Sequence, residues 1–469
     1  MIQALYGRSS KMKTLFRGGT VVSGKGTRRA DVLIEGEKIL EVARTITPQP
    51  GTRVIDMAGK LLLPGFIDAH THFDLDVAGT TTADDFESGT LSALRGGTTT
   101  VVDFACPNKG ESLRHGLELW HQKADGKCSC DYSFHMTIDD WNPSIEAEID
   151  DMMAAGITSF KMYMTYPAMM LDDRTMYFAL KKLKAAGGIC GVHCENSGVI
   201  DALVAEAKAR GENTVACHPQ TRPPQLEAEA VSRLLRIAQT VDIPVVIVHL
   251  TNAAALHEVE AARKRGQKVY AETCPQYLVL DDSVYDNPKY IEAAKYVCSP
   301  PIRKRSDQTS LWDGLRRGEI QTISTDHCSF TTDQKEAGRG DFTKIPGGVP
   351  GVETRAELVY TYGVTTRKIS LATMCRTLSE NPAKLYGMYP RKGVIAKGAD
   401  ADLVIYDPVA DHVLHADQMV SRAGYSPYEG FAIRGGIQQV WLHGTLAVDH
   451  GQVLAEKLGR FIPRGKCTL

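Results

Sequence analysis

The sequence predicts an α/β protein in which a (β/α)8 TIM-like barrel is joined to a small β-sandwich domain built from both chain ends. Three observations carry that prediction. Through the middle of the chain, short apolar β-branched runs alternate with helical ones, the pattern of βα units around a parallel sheet. Several of these runs end in residues that can do chemistry: LLLPGFIDAHTH in His70 and His72, SFKMYMTY in Lys161 and Tyr166, ICGVHCEN in His193, VVIVHLTN in His249 and ISTDHCSF in Asp326. Metal-capable groups at the ends of successive strands are the layout of a catalytic barrel. The third observation is a shared texture at the two ends of the chain, short strands punctuated by glycine turns.

The elements follow in order. Residues 1–11 lack the apolar stretch and cleavage site of a signal peptide and read as a leader or disordered extension. Residues 12–63 form the N-terminal part of the sandwich, with strands in TLFRGGTVVS, ADVLIEGEKILEVA and RVIDMAGKLL and a hairpin turn at Glu35-Gly36-Glu37. The catalytic barrel spans 64–387. Its strands are expected at 61–70, 98–105, 131–138, 158–164, 188–194, 244–250, 268–274 and 321–326. Helices are expected in EAEAVSRLLRIAQTV, AAALHEVEAARKRGQ and SDQTSLWDGLRRGEI. The segment exceeds the ~250 residues typical of such a barrel, which leaves room for long active-site loops. Residues 388–460 return to the β-rich texture and complete the sandwich, and 461–469 form a C-terminal tail.

Composition narrows the function. A chain of 469 residues with 43% apolar and 23% charged content suits one large soluble barrel plus a smaller domain. The formal charge of -2 gives no reason to expect nucleic acid or an anionic membrane as partner. No run approaches the roughly 18 apolar residues of a membrane span. The 11 cysteines are scattered singly, mostly inside apolar runs, as reduced thiols in a cytoplasmic protein are. Cys128 and Cys130 have no second pair nearby, which argues against a structural zinc. No glycine-rich phosphate loop supports a nucleotide-binding reading.

The chemistry is read from strand ends. Residues i and i+2 of a strand share a face, so His70 and His72 can hold one metal. His193 and His249 occupy equivalent positions on other strands and offer the neutral nitrogen donors that zinc favours. Asp326, after the last strand, can move a proton between water and a leaving group. Lys161 fits less easily. A cation beside divalent metals is repelled, and its residue type alone does not show how it serves a metal.

With these residues in view, the chain resembles the hydantoinase and dihydropyrimidinase branch of the amidohydrolase superfamily, from about Thr14 to Pro463. The stretches that carry the likeness include GFIDAHTHFDLDVAGTTTADDFESGT, GITSFKMYMTY, GVHCEN, VHLTNAAAL, AETCPQYL, YVCSPPIR, STDHCSF, FTKIPGGVPGVETR and GADADLVIYDP. The resemblance implies that Lys161 is carboxylated and that its carbamate bridges two zinc ions, which removes the problem of its charge. It implies that His70, His72 and Asp326 hold the buried metal and His193 and His249 the more exposed one. A bridging hydroxide attacks the ring amide carbonyl, Asp326 carries the proton to the leaving nitrogen, and Tyr166 stabilises the oxyanion. Substrate contacts map to the main chain at Ser299 and Gly347, where relatives often carry Asn in place of Gly347. Asp76-Val77 stands where relatives commonly have Pro-Phe, in loop 73–82, which with 163–172 shapes the substituent pocket. A homotetramer is also implied.

The expected activity is therefore a zinc-dependent cyclic amidohydrolase that opens 5-substituted hydantoins or dihydropyrimidines, small cyclic amides, to N-carbamoyl amino acids. Dihydroorotase is disfavoured because Phe73 and Asp74 follow His72, where that enzyme uses an anchoring Arg. An allantoinase-type hydrolase is the nearer alternative, against which ADDFESGT and IPGGVPG weigh. A non-catalytic scaffold relative, of the kind that has lost its ligands, is opposed by the intact set here.

Overall fold

The computed structural model describes residues 12–469; the expectation for 1–11 lies outside them. Eight strands, Phe66–Thr71, Thr98–Ala105, Asp131–Thr137, Ser159–Tyr163, Ile189–His193, Val245–Ile247, Val269–Thr273 and Thr322–Ile323, pair in parallel in chain order. A parallel bridge between Thr71 and His327, with the His72 N–H donating to the His327 carbonyl at 2.8 Å, brings the first strand to the end of the last. Strands covered on both faces read as continuous apolar runs, and all eight residues of TTTVVDFA are buried. Inward-facing Ile67, Ala69, Val102, Ile189 and Val246 pack with Leu385, Tyr386 and Ile462.

The helices cover the barrel because each has one apolar face and a cap. Pro224–Val241 buries Ala230, Val231, Leu234, Leu235 and Ala238 along one stripe. Asn196 and Asn252 cap the helices that follow the His193 and His249 strands, accepting from the Val199 and Ala255 N–H groups. Both fall three residues after the histidine, so a His-x-x-Asn spacing ends the strand and starts the helix twice.

Both chain ends meet in one nine-stranded sheet. Leu61–Pro64 lies parallel to Lys13–Ser23 on one side and antiparallel to Leu403–Asp407 on the other. Val32, Ile34, Leu62, Leu403, Ile405 and Trp441 form its core. The expected 61–70 strand is thus divided: Leu61–Pro64 belongs to this sheet and Phe66–Thr71 to the barrel. The break is at Gly65, where a Cβ would fall 2.1 Å from Thr99 Oγ1. Only glycine lets the backbone pass between the two sheets there. The hairpin expected at Gly36 is present, with φ of 55° at that residue. The end of the chain packs inward. Ile462 is buried, and Arg464 donates to Ser133 Oγ at 2.8 Å.

The two layers are tied by a buried charge cluster at the start of the Asp131–Thr137 strand. Lys392 Nζ lies 2.6 Å from Asp131, 2.5 Å from Asp402 and 3.4 Å from Asp400, and His443 Nε2 lies 2.8 Å from Asp131. Burial works against the Lys392 charge, but Asp402, Asp131 and Asp400 outweigh it and raise its pKa. Burial likewise opposes the Asp131 charge, yet Lys392 and His443 hold its pKa at about 2. All eleven cysteines are free thiols, nine of them buried. No described helix is long and apolar enough to cross a membrane.

Candidate metal centre

The functional side chains gather at the C-terminal ends of the barrel strands. His70 lies in the first strand and His72 just beyond it, and both approach Asp326: Oδ1 is 3.2 Å from His70 Nε2 and 3.1 Å from His72 Nε2. One potential ligand atom from each of these three residues falls within 4.8 Å of the others. His249 adjoins this group, its ring 5.4 Å from that of His70 and 4.4 Å from that of His193. The structure therefore brings together all five histidine and aspartate residues that the sequence singled out.

Two further geometries place them. His249 and Asp326 lie beyond the regular strands, which end at Ile247 and Ile323, earlier than the sequence runs suggest. Their φ values are 38° and 52°, and that of Tyr166 is 68°. Left-handed backbone is costly for residues with a Cβ and persists where the surroundings enforce it, most often at functional sites.

Lys161 is 1% exposed and, among the described residues, has no ion-pair partner. Its Nζ lies 4.9 Å from the centre of the Phe104 ring and 5.0 Å from that of Tyr163. Burial draws its pKa down, opposed by the more distant charges of Asp326 and Glu272. Burial also depresses His72 to about 4 and His193 and His249 below their ordinary range, so these rings are neutral at pH 7. Burial opposes the Asp326 charge, but His70 and His72 keep that carboxyl well below the usual carboxylate range.

The partners of each ring decide which nitrogen is available. His70 Nδ1 is 2.6 Å from Glu272 Oε1, and His193 Nε2 is 2.7 Å from Glu195 Oε2. A carboxylate on one imidazole nitrogen fixes the tautomer that presents the other nitrogen to a metal. Among the described residues, His70 Nε2, His72 Nδ1 and His249 Nδ1 are buried without a hydrogen-bond partner. One orphaned buried nitrogen costs about 1–3 kcal/mol, so the unmet His70 Nε2, which faces Asp326, needs an explanation. A divalent ion that prefers nitrogen and carboxylate donors supplies it. The donor set thus fits metal.

Glu272 and Glu195 were missed as functional residues, although both lie inside quoted motifs. The signal was present: a carboxylate in the apolar strand VYAET cannot be buried unpaired. His327, next to Asp326, is occupied elsewhere. Its Nδ1 accepts from the Gly351 and Val352 N–H groups at 3.1 and 3.2 Å, so its Nε2–H donates to Asp84 at 3.0 Å.

Tyr166 stands at the rim. Its ring is 5.2 Å from that of His193, and the Arg222 guanidinium, paired with Glu195 at 2.7 Å, lies 5.7 Å from its centre. Burial raises the Tyr166 phenol and keeps it protonated. The Ser299 side chain lies beside that phenol. A Cβ on Gly347 would be 3.7 Å from Ser299 Oγ, so Tyr166, Ser299 and Gly347 also converge. Asp76-Val77 forms a short hairpin with Thr80–Thr81, closed by the Thr81 hydroxyl on Asp76.

Comparison with known proteins agrees with this geometry. The amidohydrolase family model matches residues 61–447. A D-hydantoinase of Streptomyces coelicolor is 43% identical, covering 97% of this chain and 98% of its own. A D-hydantoinase of Geobacillus stearothermophilus is 41% identical, covering 97% of each chain. The crystal structure of dihydropyrimidinase from Brevibacillus agri NCHU1002 superposes with a TM-score of 0.95 at 41% identity, over 97% of this chain and 99% of that one.

Proposed function

The chain belongs to the amidohydrolase family and is a hydrolase of cyclic amides, and from that premise we propose that it opens 5-substituted hydantoins and dihydropyrimidines to N-carbamoyl amino acids. The observation that carries the reading is that, among the described residues, three imidazole nitrogens at the strand ends have no hydrogen-bond partner and a buried lysine has no counter-ion.

Two zinc ions suit the donor set, with His70, His72 and Asp326 on one and His193 and His249 on the other. Lys161 would join them as a carbamate: its neutral amine would form an N–C bond to CO2 and release a proton, giving an anionic ligand where a charged lysine would be repelled. Its burial favours the neutral amine that this step requires. When bound, the metals acidify water and polarise the ring carbonyl.

The chain's own residues do the rest. Asp326, ionised and set between His70 and His72, takes up a proton and delivers it to the departing ring nitrogen. The protonated Tyr166 phenol donates to the carbonyl oxygen as negative charge develops on it. The main chain at Ser299 and Gly347 receives the polar edge of the ring, and since Gly347 has no side chain its contribution is its peptide groups alone. The names of the D-hydantoinase relatives point to the D-enantiomer, the free thiols suit a cytoplasmic location, and a homotetramer is proposed from the family resemblance alone.

The test is a turnover panel of hydantoin, D- and L-5-phenylhydantoin, dihydrouracil and allantoin, run beside metal analysis. Opening of the hydantoins or of dihydrouracil with about two zinc equivalents per chain supports the reading. Preferential turnover of allantoin, or a metal-free active protein, overturns it.

A further inference from the structure

The two irregular segments behind the site, 295–300 and 346–348, are fastened carbonyl by carbonyl. Lys295 O accepts from Tyr425 Oη at 3.0 Å, Tyr296 O from Tyr285 Oη at 3.3 Å, Cys298 O from His218 Nε2 at 2.8 Å and Pro300 O from Tyr277 Oη at 2.8 Å. Val297 O accepts from the Gly348 N–H at 2.9 Å, which links the segments, and from Lys335 Nζ at 2.9 Å. Lys335 Nζ also donates to Pro346 O at 2.7 Å and Gly348 O at 2.8 Å. Among the described residues, only the carbonyls of Ser299 and Gly347 in these segments have no protein donor. The Ser299 side chain lies beside the phenol of Tyr166.

Lys335 is fully buried, outside every role assigned above. Burial draws its pKa down to about 7. The geometry nonetheless calls for the ammonium form. Three N–H donors meet three carbonyls, and the Phe330 ring centre lies 5.6 Å away. A neutral amine would set a lone pair against one of those oxygens.

We propose that Lys335 is a positioning residue for substrate binding: its Nζ joins the two segments and so sets the spacing of the Ser299 and Gly347 carbonyls that accept the ring N–H groups of a cyclic diamide. The inference rests on the cyclic-amide reading above. The neighbouring residue supports a bracing role for the short helix Thr332–Glu336, since Gln334 Nε2 donates to Thr80 Oγ1 and to the Thr81 carbonyl, both at 2.7 Å, and so fastens the 76–81 hairpin as well.

Lys335→Met in the metal-loaded enzyme removes the brace. Its metal content should match the parent, while KM for dihydrouracil rises roughly tenfold or more with a smaller change in kcat. Lys335→Arg, which keeps a cation but cannot offer three donors at one point, should fall between the two. A merely structural lysine would lower the active fraction, and so kcat, at unchanged KM; that result in a folded Lys335→Met protein overturns the proposal. Should Lys335→Met fail to fold, Lys335→Arg decides by the same criterion. If the parent opens none of these rings, the substrate reading fails instead. The brace is then judged by hydrogen exchange at the Gly348 amide, which must quicken in Lys335→Arg if Lys335 holds the segments together.

Discussion

Lys161 and Lys392 are both buried lysines in or beside the barrel, one at the C-terminal ends of its strands and the other at the N-terminal end. Lys392 has three aspartates around it, and Asp131 and Asp402 have their remaining oxygens met by the Arg460 and His443 N–H groups at 2.8 and 2.9 Å. Lys161 has no carboxylate within ion-pair distance among the described residues, and His70, His72 and His249 at the same end of the barrel carry nitrogens without a partner among them. Burial opposes the charge of both. It is outweighed at Lys392, whose pKa rises, and prevails at Lys161, whose pKa falls. The contrast teaches that burial of charge does not by itself mark function: one lysine is fully paired and the other is not. The satisfied cluster holds two layers together, and the unsatisfied one is complete only with a ligand.

Four substitutions sharpen or break this contrast, in decreasing order of effect. Lys161→Ala should abolish turnover and strip metal together while leaving the fold intact by circular dichroism; an active, metal-replete variant would end the bridging role. Lys392→Met should do the opposite, retaining metal and activity in the folded protein but losing about 3–5 kcal/mol in denaturant unfolding, because Asp131 and Asp402 keep buried charge with less to pair it. Equal stability of that variant and the parent would show the cluster to be neutral. Tyr166→Phe should lower kcat by about 10²–10³ with metal unchanged, the scale of one oxyanion donor; normal turnover would remove Tyr166 from the chemistry. Glu272→Gln should weaken metal binding by about 10–100-fold in chelator competition, since the carboxylate orients His70 through Nδ1. Undiminished affinity would mean that His70 is oriented by packing alone.

Much of the barrel was legible because its strands are buried on both faces and its helices on one, and each leaves a local pattern. The metal-capable set was legible for the same reason: HTH, VHCEN and VHLTN put histidines where apolar runs stop. What was not legible depends on residues far apart in the chain. Glu272 reaches His70 across 202 positions, so the VYAET run signals that its carboxylate needs a partner but not which one. The break at Gly65 reflects the Thr99 side chain of the next strand. The left-handed turn at Tyr166 has no local cause, because its residue type does not favour that backbone; His249 and Asp326 are of types that enter it more readily, but nothing in the neighbouring sequence marks that they do.

By itself, then, the sequence determined which elements form and which donors they carry, since periodicity and residue chemistry act over a few neighbouring positions. Only the tertiary structure decided which nitrogen of each histidine is engaged, which buried lysine is charged and which carbonyls stay free. Those properties are set by distance and desolvation among groups that are hundreds of residues apart along the chain and a few ångströms apart in the folded protein.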